Sequence, residues 1–154
     1  MLPEGILALC NISIAEPASS KKRILEQAAR LLAANAEEPS AEQIFERLLE
    51  RERLGSTGLA GGVALPHARM PGIKDSRGAF LRLAEPVEFD ALDGHPVDLV
   101  FALLVPEDAT EDHLQLLAKL AATFNDPSLR TRLREADAEQ AMAILSGQST
   151  IHAA

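Results

Sequence analysis

The pattern of apolar and polar residues in the first third of the chain predicts two helices. From Lys21 onward apolar residues recur at helical spacing, and the same spacing returns after Ser40. Ser40 and Gln43 stand at the spacing of a capping box, and Gly55 is placed to end the second helix. We therefore expect one amphipathic helix beginning at Lys21 and another between Ser40 and Gly55.

The middle of the chain has the pattern of strands. Residues 12–14 alternate as a brief strand does, residues 63–65 form a short apolar run that leads into Pro66, and residues 79–83 form another candidate. Residues 97–106 are the strongest candidate, and they are apolar on both faces. A strand of that kind is expected at the centre of a sheet, covered on both sides.

The last third of the chain is predicted to be helical. Thr110 is the expected cap of a first helix, which carries Leu114, Leu117, Ala121 and Phe124 on one side. A second helix starts at Asp126-Pro127, since proline suits the first helical position, and a third is capped by Asp137 and Gln140 and ends near Gly147. Helices before and after a sheet predict an α/β (α+β) fold in one domain, residues 1–154, with a loose tail from about residue 148.

Composition and charge narrow the classes of function. A net charge of −8 and a shortage of aromatic residues disfavour nucleic-acid binding, because such proteins need a basic face or a platform for stacking bases. No apolar run approaches the length of a membrane span, and no signal-peptide pattern is present, so we expect a cytoplasmic protein without membrane insertion. The segment from Arg47 to Arg77 is an exception in charge: six basic and three acidic residues give it +3, which leaves −11 for the rest.

His67 lies inside this basic segment and has the most informative surroundings of the four histidines. It follows Pro66, which stiffens the backbone, and a glycine-rich loop that runs from Gly55 to Gly62. A neutral imidazole nitrogen is a nucleophile, and Ser56, Thr57 and the loop amides could donate hydrogen bonds to a phosphate. The alternative is a polar residue at a strand end with no chemical role.

His113 is the second candidate. Counted from Thr110 it falls in the first turn of its helix, where unpaired amides and the helix dipole favour an anion. The alternative is a helix residue that faces water. The histidine spacings match no metal-ligand motif, so we expect no metal, and the sequence contains neither a nucleophile elbow nor a P-loop. We expect no cofactor either.

Two segments resemble the active-site signature of a known family. Gly55-Ser56-Thr57-Gly58 followed by residues 62–67 (GVALPH), and residues 96–106 followed by His113-Leu114, are similar to the fructose/mannitol-type enzyme IIA components of the bacterial phosphotransferase system. The likeness extends from about Lys21 to Ala136. The GSTG loop and the free-standing format are most similar to the nitrogen-regulatory members of that family.

The resemblance implies a central mixed sheet flanked by helices and a phosphohistidine at His67, expected at the tele nitrogen. His113 would support the phosphoryl group without carrying it, and Arg51 would lie near the phosphate. The phosphoryl donor would be a histidine-containing phosphocarrier of the nitrogen branch. The phosphorylation state would then regulate nitrogen or potassium physiology through a target such as a potassium transporter or a sensor kinase.

Two alternatives stay open within this resemblance. The chain could be a sugar-specific IIA component that passes phosphate to a fructose- or mannitol-type IIB domain, or a regulatory binding module that is not phosphorylated. The sequence also departs from the family at two places. Gly61 stands where sugar-specific relatives have an acidic residue and nitrogen-type relatives often have Asn, and Ala68-Arg69 stands where Gly-Lys is common.

Overall fold

The computed structural model describes residues 6–8, 11–34, 36–109 and 111–147, and for residues 112 and 113 the backbone only. Five strands in this part of the chain are β1 (Ile12–Glu16), β2 (Val63–Ala64), β3 (His67–Met70), β4 (Arg77–Val87) and β5 (Val97–Pro106). Five helices are α1 (Lys21–Ala33), α2 (Ala41–Leu54), α3 (Glu111–Phe124), α4 (Pro127–Glu135) and α5 (Ala138–Leu145).

The strands form one mixed sheet in the order β1-β4-β5-β2, with β3 also paired to β5. Strands β1 and β4 are parallel, β4 and β5 are antiparallel, and both β2 and β3 run parallel to β5. The pairs Val63 with Leu99 and His67 with Leu103 have the same offset, so β2 and β3 keep one register along β5. Pro66 separates them because a proline has no N–H to donate to the ladder.

Helices cover both faces of the sheet because β5 is apolar on both sides. Val100, Ala102 and Leu104 pack in the layer shared with α1 and α2. Leu99, Phe101 and Leu103 pack in the layer shared with α3, α4 and α5. The predicted single α/β domain, with a central mixed sheet between two groups of helices, is therefore confirmed.

Local sequence signals set the helix ends. Ser40 and Gln43 form the predicted capping box of α2, and Asp137 and Gln140 form that of α5. Asp126 caps α4, with a proline in the first turn as predicted. Helix α2 ends at Leu54 and Gly55 is its C-terminal cap, also as predicted. These short-range contacts depend on neighbouring residues only, which is why the sequence pattern predicts them.

The structure differs from the sequence pattern at two places. The strand predicted for residues 63–65 is followed by a further strand, β3, because pairing with β5 continues beyond Pro66. Leu114 shares one side of α3 with Phe124 in the sequence pattern, yet Leu114 is 64% exposed and Phe124 is buried. Thr110, the expected cap of α3, and the expected loose tail from residue 148 lie outside the described residues.

Candidate phosphoryl-acceptor site

His67 is the first residue of β3 and lies at the outer edge of the sheet. The Pro66 carbonyl accepts a hydrogen bond from the Leu103 amide of β5, at 2.9 Å. Because successive residues of a strand direct their backbone groups to opposite sides, the Leu65 amide and carbonyl face away from β5. The Leu65 amide donates to the Thr57 carbonyl at 3.0 Å, so the glycine-rich loop covers this edge of the sheet.

The imidazole of His67 is held by this backbone. Its Nδ1 atom lies 2.8 Å from the Leu65 carbonyl oxygen. A carbonyl only accepts hydrogen bonds, so Nδ1 carries the proton and the lone pair of the neutral ring is on Nε2. Burial lowers the pKa of His67 below its usual value of 6.5, and the positive charge of Arg51 lowers it further, against the opposing effects of the Leu65 carbonyl and Glu52. The ring is therefore neutral, and a nucleophile, at neutral pH.

An open groove of about 610 Å³ surrounds His67. Its charged lining consists of four arginines and one glutamate, a net charge of +3: Arg47, Arg51, Arg53, Arg69 and Glu50. Leu54 adds an apolar side chain that is 85% exposed. Tertiary structure thus gathers most of the basic segment into one face, where an anion next to His67 would be attracted.

Two of these arginines are held by backbone carbonyls. Arg51, in the last turn of α2, donates from Nη1 to the Gly55 carbonyl at 2.9 Å. Arg69 donates from Nη1 to the carbonyls of Glu107 and Ala109, in the segment between β5 and α3. Both guanidinium groups therefore have defined positions on the groove wall, and each has further N–H donors that suit a phosphate.

The hydroxyl groups of Ser56 and Thr57 are engaged within the loop. Ser56 Oγ donates to the Phe89 carbonyl at 2.7 Å and accepts from the Gly58 amide at 3.0 Å. Thr57 is buried, and its Oγ1 donates to Glu52 Oε2 at 2.7 Å. In this arrangement neither hydroxyl proton is directed at a group on His67. The role of these residues as phosphate ligands stays a prediction, and the contacts observed are those that shape the loop.

Gly61 has a left-handed backbone with φ of +81°. A Cβ atom at this position would lie 2.7 Å from Cζ of Arg130 in α4. The Gly61 amide donates to Asp93 Oδ2 at 3.1 Å, and its carbonyl accepts from Arg134 Nη2 at 2.8 Å. The side chain of Arg130 therefore occupies the space next to residue 61.

His113 lies in the first turn of α3, as its sequence position predicts. The structure describes its backbone and not its side chain. The structure therefore brings His67 and Arg51 to one groove and leaves the support from His113 a prediction.

Sequence reasoning gave no role to Glu52, the neighbour of Arg51, which is only 7% exposed. The sequence did contain a sign that this residue is buried, because residue 52 continues the four-residue spacing of the buried Ile44 and Leu48 on α2. An ionised side chain on the buried face of a helix needs compensating partners, and so indicates a specific role.

A mixed sheet with helices on both faces and a neutral histidine in an arginine-lined groove are features suited to a phosphotransfer protein. Residues 6–147 match the family model described as Phosphoenolpyruvate-dependent sugar phosphotransferase system, EIIA 2. The chain belongs to this family and is a phosphotransferase-system component. Proteins of this family exchange phosphoryl groups with phosphocarrier and IIB partners. No helix in the described ranges is long and apolar enough to cross a membrane.

Individual relatives point to the nitrogen-regulatory group. A Nitrogen regulatory protein from Pseudomonas aeruginosa is 52% identical over 139 residues, which cover 90% of this chain and 90% of that protein. The crystal structure of Nitrogen Regulatory Protein IIA-Ntr from Neisseria meningitidis aligns with a TM-score of 0.84 and 49% identity, over 91% of this chain and 96% of that one. A fructose-specific EIIA component from Haloferax volcanii is 35% identical over 129 residues, 84% of each chain.

Proposed function

We propose that His67 accepts a phosphoryl group on Nε2 from a histidine-containing phosphocarrier of the nitrogen branch, and that the phosphorylated and unphosphorylated forms of the protein bind regulatory targets differently. The observation that carries the proposal is the hydrogen bond from His67 Nδ1 to the Leu65 carbonyl, inside a groove of net charge +3. This bond assigns the lone pair to Nε2 and holds the ring in one orientation.

The transfer step follows from these groups. The Nε2 lone pair attacks the phosphorus atom of the donor's phosphohistidine, and an N–P bond to His67 forms as the donor's N–P bond breaks. The electron pair of the broken bond returns to the donor's imidazole, and the proton of His67 stays on Nδ1, hydrogen-bonded to the Leu65 carbonyl. Arg51 and Arg69 supply positive charge for the phosphate oxygens, and His113 is the proposed supporting histidine.

The experiment is incubation of the protein with the phosphorylated carrier, followed by intact mass measurement and ³¹P NMR. We expect one acid-labile, base-stable phosphoryl group with the spectrum of an Nε2 adduct. His67→Gln should abolish it, whereas His95→Gln, a change at an exposed turn histidine, should not. Stoichiometric phosphorylation of His67→Gln would refute the site. Failure of the wild-type protein to accept a phosphoryl group would favour the unphosphorylated binding module.

His113 has its own test. His113→Ala should slow transfer to His67, or shorten the lifetime of the phosphoryl group, without changing the fold as judged by circular dichroism. Transfer and hydrolysis kinetics equal to those of the wild-type protein would remove His113 from the site.

A regulatory role has a physical basis in the charge of the groove. Phosphorylation adds about −1.5 to −2 charge, which would reduce the net +3 of the groove lining to about +1 to +1.5. An acidic partner surface that docks there would then lose half or more of its electrostatic attraction, while the exposed Leu54 would still offer an apolar contact. We propose a cytoplasmic target, such as a potassium transporter's cytoplasmic face or a sensor kinase.

The sugar-transport alternative is favoured by one observation, the 35% identity to the fructose-specific EIIA component. The two functions differ in what the phosphorylated protein does next. A sugar-specific component transfers its phosphoryl group rapidly to a fructose- or mannitol-type IIB domain, whereas a nitrogen regulator keeps it and changes its affinity for a target. Measurement of phosphoryl loss with and without such a IIB domain separates them.

A further inference from the structure

Glu52 is a buried carboxylate that the phosphotransfer step does not use. It lies in the last turn of α2, one residue after Arg51, and is 7% exposed. A buried negative charge at the C-terminal end of a helix is unfavourable both because of desolvation and because of the helix dipole. Its presence there therefore depends on the groups that surround it.

Three donors surround the Glu52 carboxylate. The Thr57 amide donates to Oε1 at 2.7 Å, and Thr57 Oγ1 donates to Oε2 at 2.7 Å. The ammonium group of Lys21, the first residue of α1, lies 3.0 Å from Oε1 and 4.7 Å from the centre of the Phe89 ring. The carboxylate thus joins α1, α2 and the glycine-rich loop at one point, and it fixes the orientation of Thr57 through both a backbone and a side-chain bond.

A continuous series of hydrogen bonds leads from this carboxylate to the reactive histidine. Glu52 binds Thr57, the Thr57 carbonyl accepts from the Leu65 amide at 3.0 Å, and the Leu65 carbonyl lies 2.8 Å from His67 Nδ1. The Leu65 carbonyl faces away from β5, so the sheet ladder does not hold it. Its direction depends instead on the loop that Glu52 anchors.

We propose that Glu52 is a positioning residue for phosphoryl transfer, which acts through Thr57 and Leu65 to hold His67 in the Nδ1–H tautomer and in one ring orientation. This proposal rests on the proposed function of His67. It differs from a purely structural role of Glu52, since a structural role would affect the stability of the loop without changing which ring nitrogen carries the proton.

The test uses changes that differ in the bonds they leave intact. Thr57→Val removes the hydroxyl bond to Glu52 and retains the branched shape, and Thr57→Ser retains the hydroxyl. Glu52→Gln removes the negative charge at nearly constant size. Thr131→Val is the matched control, because the Thr131 hydroxyl donates to the Pro127 carbonyl on the exposed side of α4.

Two measurements report on His67 directly. The ¹⁵N chemical shifts of its ring give the populations of the two tautomers in the unphosphorylated protein, and the phosphocarrier assay gives the rate of transfer and the nitrogen that is modified. In Thr57→Val and Glu52→Gln we expect a mixture of tautomers and transfer slowed by about three- to tenfold, the effect of weakening one hydrogen bond. Thr57→Ser and Thr131→Val should match the wild-type protein.

Wild-type tautomer populations in both Thr57→Val and Glu52→Gln would overturn the proposal, even if the melting temperatures of these variants fell. If Glu52→Gln does not fold, the comparison of Thr57→Val with Thr57→Ser still tests the proposal. The tautomer measurement needs no phosphoryl donor. If the wild-type protein is never phosphorylated, the proposed function is refuted. A change of tautomer populations in Thr57→Val and Glu52→Gln would still support the positioning of His67 by Glu52.

Discussion

Replacing Gly61 with alanine should destabilise the protein for two separable physical reasons. The first is the backbone, because a φ of +81° in an L-residue costs about 1–2 kcal/mol. The second is the contact of the new Cβ atom with Arg130, whose Cζ would lie at 2.7 Å. Arg130 must move away, and in doing so it loses its 2.8 Å hydrogen bond to the Phe124 carbonyl, worth about 0.5–1.5 kcal/mol.

Gly72 provides the matched comparison. Its φ is +85°, nearly the same as that of Gly61, but a Cβ atom there has nothing within 4 Å. Gly72→Ala should therefore show the backbone cost alone. We expect the free energy of unfolding of Gly61→Ala to be lower than that of Gly72→Ala by about 1 kcal/mol, or about 2–4 °C in melting temperature for a chain of this size.

The assay is urea unfolding, with thermal melts as a second measure, on the two single variants, Arg130→Ala and the double variant Gly61→Ala/Arg130→Ala. In the Arg130→Ala background the cost of Gly61→Ala should fall to that of Gly72→Ala, because the side chain that the Cβ atom displaces is gone. Equal costs for Gly61→Ala and Gly72→Ala in the wild-type background would refute the contact. So would a cost at Gly61 that does not depend on Arg130.

Four further predictions concern the protonation of His67, the glycine-rich loop and the core. Arg51→Met should raise the pKa of His67 toward 6.5, since the arginine's positive charge helps to lower it, as NMR titration would show. Because folding lowers the pKa of His67, stability should fall as pH falls below about 6.5, and less so in His67→Gln. Ser56→Ala removes the bonds of Oγ to the Phe89 carbonyl and to a loop amide, and should cost about 1–3 kcal/mol in urea unfolding. Leu103→Ala, in the buried centre of the sheet, should cost about 2–5 kcal/mol.

Each of these predictions has a result that contradicts it. An unchanged or lower pKa of His67 in Arg51→Met would mean that the arginine charge does not reach the ring. Identical acid stability of the wild-type protein and His67→Gln would contradict the lowered pKa. Unfolding free energies of Ser56→Ala and Leu103→Ala within about 0.5 kcal/mol of wild type would show that the Ser56 hydrogen bonds and the packing of Leu103 contribute little.

Most elements of the fold could be predicted because their signals are local. The capping boxes of α2 and α5 join residues three apart, and the doubly apolar run of β5 is itself the sign of a central strand. Strand β3 could not be predicted in this way. It exists because His67–Met70 pairs with residues 103–106, and that pairing depends on a partner more than thirty positions away.

The candidate site also has features that follow from neighbouring residues and features that depend on distant contacts. The sequence by itself determined that His67 follows a stiff proline and a glycine-rich loop, that Arg51 precedes this loop, and that the surrounding segment is basic. Only the tertiary structure decided that the Ser56 and Thr57 hydroxyls turn into the loop, and that the bond from Nδ1 to the Leu65 carbonyl assigns the reactive lone pair to Nε2. The physical reason is that hydrogen-bond direction depends on where distant backbone segments lie in space, and residue types alone do not specify it.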